Sequence, residues 1–174
     1  MDVSLHSLKR EIKSLVKSKE KVVIGIDGQS FSGKTTLTEF LCKTFPQFKH
    51  ISLDEYMTDA QTRIAACKDV EKRKVLFKYW YDSEKIKNIK TEGPVIIEGI
   101  FLLTAFIDAV FDYRLIVTPR ENLKELRIKK LMQINNLLST GEAGALDDMY
   151  EKSWQKYEKD FDIYHTGVSI DVSA

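Results

Sequence analysis

A continuous apolar run, Val22-Val23-Ile24-Gly25-Ile26-Asp27, delivers the chain directly into Gly28-Gln29-Ser30-Phe31-Ser32-Gly33-Lys34-Thr35. No other stretch restricts the fold as strongly. The run lacks the polar alternation of a half-exposed strand, so it predicts a strand covered on both faces, as in a parallel sheet. The segment that follows has the full Gly-x-x-x-x-Gly-Lys-Thr spacing of a phosphate-binding loop, in the strand-to-helix setting that motif requires. Its glycines let backbone N–H groups turn inward to form an anion nest. The helix that begins after Gly33 adds the positive end of its dipole. Lys34 can reach the β and γ phosphates as a point charge, and the Thr35 hydroxyl can ligate Mg²⁺, a hard cation that prefers oxygen. Gly28, Gln29, Ser30, Phe31, Ser32, Gly33, Lys34, Thr35 and Thr36 are therefore the candidate nucleotide-binding residues, and Thr35 is also a candidate metal ligand.

Around that loop the pattern alternates strand with helix. Leu5, Leu8, Ile12 and Leu15 recur at helical spacing among Lys and Glu, which predicts an amphipathic helix over residues 1–19 packed on the rest of the chain. A helix is expected from Lys34 to Phe45, stopped by Pro46, and a short strand from Lys49 to Leu53. Thr58 to Lys90 reads as helical and highly charged. Further strands are expected at Val95–Ile97, after the Gly93-Pro94 breaker, and at Tyr113–Val117. Helices follow after Pro119 and over Asp147–Tyr164, with a last strand at Gly167–Val172. The Ser139–Gly144 stretch reads as a flexible connection. Strand–helix alternation of this kind predicts an α/β fold in three layers, with a parallel sheet of about five strands.

Composition narrows the function classes. At 174 residues the chain is the size of one domain. It has 27 basic against 26 acidic residues, which gives no electrostatic reason for a nucleic-acid or anionic-membrane surface. Cys42 and Cys67 are too few for a disulfide framework or a zinc site, so both are expected as reduced thiols, Cys42 on the buried face of its helix. No apolar run reaches the length of a membrane span, and charges throughout the first turns argue against a secretory signal. The expectation is a soluble cytoplasmic protein.

Phosphoryl chemistry needs more than a loop. A carboxylate must organise the metal, and another group must orient the acceptor. Two acidic side chains stand at the C-terminal ends of apolar strands, where open α/β sheets bind ligands. Glu98 closes Val95-Ile96-Ile97 and precedes Gly99; Asp54 closes Ile51-Ser52-Leu53 and precedes Glu55-Tyr56. Glu98 is the candidate metal ligand, and Asp54 the candidate catalytic base toward an acceptor hydroxyl.

Ile24-Gly25-Ile26-Asp27, Ser52-Leu53-Asp54-Glu55-Tyr56 and Pro94-Val95-Ile96-Ile97-Glu98-Gly99-Ile100 together resemble the uridine kinase-like branch of P-loop kinases. That branch includes nicotinamide riboside kinases, phosphoribulokinases and bacterial pantothenate kinases. The resemblance extends over about residues 20–172. It implies ATP and Mg²⁺ as cofactors, a nucleoside-like or vitamin-like alcohol as substrate, and the core strand order of the nucleoside monophosphate kinase group. It also implies a helical lid around residues 120–145, carried here by the stretch Pro119–Lys130, with Arg127 as its phosphate-contacting cation and Lys130 and Lys124 behind it. On the acceptor side, Tyr79-Trp80-Tyr81-Asp82 resembles the short Tyr-Asp segment of bacterial relatives. Tyr56, Tyr81 and Asp82 thus join Asp54 as candidate substrate residues.

A switch GTPase would need an Asn-Lys-x-Asp segment, which the sequence lacks. The remaining rival is a P-loop regulatory protein that binds nucleotide without transferring phosphate.

Overall fold

The computed structural model of the chain describes residues 4–90, 92–106, 111–118, 123–134 and 138–170. Five strands form one parallel sheet: β1 (Val23–Gly28), β2 (Lys49–Ser52), β3 (Val95–Gly99), β4 (Tyr113–Val117) and β5 (Val168–Ile170), in the order β2-β3-β1-β4-β5. β1 lies at the centre, paired with β3 on one side and β4 on the other. The two registers set Asp27 opposite Gly99 and Gly28 opposite Val117. The outer pairing sets Ser52 opposite Glu98. The C-terminal ends of β1, β2 and β3 thus open at one edge of the sheet.

Both faces of the sheet are covered, as the unbroken apolar run in β1 requires. On one face Ile24, Ile26, Ile96, Leu115 and Val117 pack against α1 (Leu5–Ser18) and α2 (Lys34–Thr44). On the other, Val95 and Ile97 meet Ile86 of α4 (Ser83–Lys87) and Leu102 of α5 (Leu102–Ala105). The same face carries Ile116 against Trp154 and Tyr157. Three layers result.

α1 begins where the Ser4 side chain accepts from Ser7 N, and it buries Leu8 and Ile12. The Tyr113 hydroxyl donates to Glu11, and Lys19 pairs with Asp112, so the helix is tied to the start of β4 at its middle and its C-terminal end. α2 ends at Thr44, just before Pro46. Cys42 and Cys67 are free thiols, and Cys42 packs against the α1–α2 core.

The structure differs from the sequence reading in three places. Thr58–Lys90 is not one helical stretch: it divides into α3 (Ala60–Lys68), a 3-10 segment over Lys72–Tyr79 interrupted at Val75, and α4. Ser139–Gly144 is not a flexible connection. Ser139 N-caps α7 (Thr140–Phe161), a helix of 22 residues that begins seven residues before the expected Asp147. Ser139 and Glu142 form a reciprocal capping box, which satisfies two helix-end donors at once and outweighs the poor propensity of Gly141 and Gly144. That helix stops at Asp162, in left-handed backbone, and a short α8 (Ile163–Thr166) leads into β5. Of the expected last strand, Asp171 and Val172 lie outside the described residues, as do Pro119–Asn122 at the head of the expected lid. α6 (Leu123–Ile134) packs on α7.

Because Ile12 is fully buried between α1 and the sheet, Ile12→Ala is expected to destabilise the protein by about 2–5 kcal/mol through lost burial and a residual cavity. Urea unfolding measures this. A loss below about 0.5 kcal/mol would make α1 a peripheral attachment.

Candidate nucleotide site

The site begins where β1 ends. Asp27 is completely buried there, and its carboxylate accepts from Gly28 N at 2.8 Å and from the Tyr157 hydroxyl of α7. Gly28 has φ +152°, and a Cβ at this position would lie 2.6 Å from the Val117 carbonyl oxygen. Only glycine lets the loop leave the sheet so close to β4. Phe31 (φ 66°) and Gly33 (φ 100°) carry the chain round through left-handed backbone, Ser32 N donates to Gln29 O, and α2 starts at Lys34.

Lys34 is turned inward. It is 9% exposed, and its Nζ donates to Gly28 O at 2.9 Å and Gln29 O at 2.8 Å. Burial lowers its pKa, while the charges of Glu98, Asp27 and Asp54 oppose that shift. Thr35 and Thr36 face the open side at the first turn of α2. The Thr35 hydroxyl donates to Glu98 Oε1 at 3.3 Å, from the start of α2 to the end of β3. Glu98 is otherwise buried, and His50 Nε2 of β2 lies 3.5 Å from the same oxygen.

Asp54 follows β2 in a 3-10 turn, Leu53–Tyr56. Its side chain reaches solvent, yet the protein packed beside it, and then the charge of Glu98, push its pKa above the usual carboxylate value. Lys34 and Arg63 pull it back. Tyr81 stands behind these carboxylates: its hydroxyl donates to Ile100 O, and a Cβ on Gly99 would come within 2.8 Å of it. Gly99 therefore allows Tyr81 to pack directly beneath the Glu98 strand end. Burial, and then Asp27, Asp54 and Glu98, raise the Tyr81 pKa, so it stays a neutral hydrogen-bond donor.

The residues present fit a polyphosphate and one divalent cation. The Ser32 hydroxyl is shielded in the loop without a partner among the described residues, and the Lys34 ammonium is held only by carbonyl groups that phosphate oxygens can replace. Thr35 and Glu98 offer two adjacent oxygens for a cation. Among the described residues no group of three or more His, Cys, Asp or Glu side chains could hold a metal by itself. That suits Mg²⁺, which keeps several waters and binds through one or two carboxylates plus substrate phosphates.

Other candidates sit differently from the expectation. Arg127 is not a free lid cation. It is 7% exposed and donates to Asp147 (2.6 and 3.1 Å), to Glu151 (2.9 Å) and, through Nη1, to Gln29 Oε1 at 2.8 Å. A guanidinium so buried requires carboxylate partners, and α7 supplies them. Gln29 also donates to Glu151 at 3.3 Å, and Ser30 N donates to the Tyr150 hydroxyl at 2.9 Å. The α6–α7 pair thus grips the outer wall of the phosphate loop. Lys124 instead pairs with Asp148 at the surface. Asp82 commits its carboxylate to the N-cap of α4, accepting from Glu84 N and Lys85 N. Its own N–H donates to Tyr56 O, which keeps Tyr56 beside the Tyr81 strand bridge. Trp80 packs edge-on to Phe101 and near Tyr150. Sequence reasoning missed Asp27, His50 and Tyr150. For Asp27 the signal was present, as a carboxylate at the end of an otherwise apolar run.

No protein-family model matches the chain, and no curated protein matches it with significance. Solved structures do. A possible uridine kinase from Bacillus stearothermophilus superposes with a TM-score of 0.59 at 18% identity, over 94% of this chain and 99% of that one. The likeness is one of fold. TT1252 from Thermus thermophilus gives 0.48 at 18% identity, covering 90% of this chain and 91% of that one. An uncharacterized protein from Eubacterium ventriosum gives 0.42 at 14%, covering 87% and 88%. The architecture is therefore a parallel three-layer α/β fold shared with that possible uridine kinase, and no helix among the described residues is long and apolar enough to cross a membrane.

Burial raises the Asp27 pKa from 3.8 to about 6, against the lowering effect of its hydrogen bonds from Tyr157 and Gly28. The folded protein therefore holds this proton up to about pH 6, while the unfolded chain releases it near pH 4. The stability that Asp27 contributes is full below about pH 4 and lost as pH rises through about 6. Comparing Asp27→Asn with the parent by denaturant titration from pH 4 to 7 is expected to show the parent losing up to about 3 kcal/mol relative to the variant. Parallel pH profiles would contradict it.

Proposed function

We propose that the chain is an ATP-dependent small-molecule kinase, uridine kinase-like, that transfers the γ-phosphoryl group to a hydroxyl of a nucleoside-like or similar metabolite. The observation that carries this reading is the convergence of three strand ends. β1 leads into Lys34 and Thr35, β3 brings Glu98 to within 3.3 Å of the Thr35 hydroxyl, and β2 brings Asp54 into the same electrostatic field. A binding loop alone needs neither carboxylate. The likeness of fold to a possible uridine kinase supports the same class.

In this reading the backbone of Gly28–Thr36 and the Lys34 ammonium hold the ATP phosphates, and Thr35 and Glu98 hold Mg²⁺, which supplies charge neutralisation when bound. Asp54 accepts the proton of the acceptor hydroxyl as its oxygen bonds to the γ-phosphorus. The bond to the β–γ bridging oxygen breaks, and ADP leaves. The raised pKa of Asp54 brings the base closer to neutrality, where proton transfer is more effective. Tyr81 and Gly99 fix the floor beneath the reacting groups. A reducing, cytoplasmic setting is part of the same proposal, since two cysteines so far apart in sequence form no disulfide framework.

Purified protein mixed with ATP, Mg²⁺ and a panel of small alcohols tests the reading; tight ATP binding without transfer to any member would favour a regulatory role. Asp54→Asn is expected to lower kcat by roughly a hundredfold or more with ATP affinity unchanged. Altered ATP affinity with kcat intact would remove Asp54 from the role of base. Glu98→Gln is expected to raise the Mg²⁺ concentration needed for half-maximal rate, and an unmoved Mg²⁺ titration would count against its role.

A further inference from the structure

α3 carries Arg63, whose charge reaches Asp54. Its Nη1 donates to Thr58 O, and its guanidinium lies 5.8 Å from the centre of the Trp80 ring. Thr58 is in turn tied to the Tyr79–Trp80 backbone, through Thr58 N to Trp80 O at 3.0 Å and Thr58 Oγ1 to Tyr79 O at 2.8 Å. The cation therefore has a fixed seat. No carboxylate among the described residues lies within ion-pair distance of it, whereas Arg127 has two. A second donor lies in the same wall: the Trp80 indole Nε1 is shielded from solvent and has no acceptor among the described residues. Buried indole N–H groups normally find a partner.

These groups form a continuous surface with the phosphate loop. Ser30 N donates to Tyr150 at 2.9 Å, the Tyr150 ring centre is 6.2 Å from that of Trp80, and Arg63 covers Trp80. Asp54 lies within the electrostatic reach of both Lys34 and Arg63. The Arg63 guanidinium, with no carboxylate paired to it among the described residues, and the Trp80 N–H thus belong to one packed wall that reaches the phosphate loop.

We propose that the acceptor is itself anionic: a hydroxyl compound whose carboxylate or phosphate group binds Arg63 and the Trp80 N–H while its hydroxyl meets Asp54. This rests on the kinase reading above and narrows its substrate class. A guanidinium held on an aromatic face suits such a group, because its planar fork can pair two oxygens at once. Arg63 is then a specificity-determining residue, and a neutral nucleoside leaves it unpaired.

The test fills the phosphate loop with a non-hydrolysable ATP analogue and Mg²⁺, so that the loop cannot bind the probe. Glycerate and ribose 5-phosphate are then titrated by calorimetry against glycerol, ribose and uridine. The anions are expected to bind, and the better of the two identifies carboxylate or phosphate as the preferred group. Arg63→Gln is expected to weaken that anion by roughly 10- to 100-fold. Arg63→Lys should fall between, and Trp80→Phe should weaken it several-fold. Affinity for the ATP analogue reports that each variant is folded. With ATP present, Arg63→Gln should act on KM for the anion far more than on kcat.

If neither anion binds, or if Arg63→Gln leaves anion affinity unchanged, the proposal is overturned. Phosphorylation of uridine with no response to Arg63→Gln would overturn it while keeping the kinase reading. Anion binding that depends on Arg63, with no phosphoryl transfer, would do the reverse.

Discussion

A carboxylate with no access to water stands at the junction of sheet and loop. Asp27 takes a hydrogen bond from the first N–H of the phosphate loop and another from Tyr157 on the longest helix, whose hydroxyl also accepts from Leu103 N. That small network ties the central strand, the loop, α5 and α7 to one point. It holds the loop's first glycine against β4, and it holds the aromatic cluster of Phe77, Phe101, Trp154 and Tyr157 against Ile116 of the same strand. Phe101 keeps left-handed backbone (φ 55°) at the centre of that cluster. Such strain costs on the order of 1–3 kcal/mol and persists only where the surroundings over-determine it. Five aromatic neighbours do so here.

The α6–α7 pair is joined to the loop by charge as well as by packing. Arg127 brings a buried cation against Gln29, and Asp147 and Glu151 neutralise it from α7. A buried pair of this kind contributes little net stability, because desolvation offsets the attraction, but removing one partner leaves an uncompensated charge. Its effect is on geometry. The side chain of the loop's second residue cannot move without disturbing a bidentate ion pair, so the loop's outer wall and the helical hairpin take up one arrangement together.

The parts of this molecule written in contiguous residues were legible in the sequence. The loop, the β1 run that feeds it and the two strand-end carboxylates all rest on short-range rules, and the structure places them side by side. The partners of Arg127 were not legible, because Asp147 and Glu151 acquire meaning only when α7 is laid along α6. Asp82 was ambiguous in kind: a carboxylate ahead of Ser83-Glu84-Lys85 caps a helix as readily as it receives a ribose, and here it caps. Ser139-x-x-Glu142 has the spacing of a capping box, a signal the reading of this stretch as a flexible connection did not use, and two satisfied helix-end donors count for more than two poor propensities. His50 carried no local signal, since its place beside Glu98 follows from β2 lying next to β3.

The first described core cluster joins Leu8 of α1 to Ile170 of β5, with the central strand between them. Two elements far apart in sequence thus meet in one apolar layer. A chain emerging from the ribosome would therefore expose the inner faces of α1, α2 and β4 until the residues of β5 had cleared the exit tunnel. Until then that layer lies open, and it is a target for whatever shields nascent apolar surface in the cell.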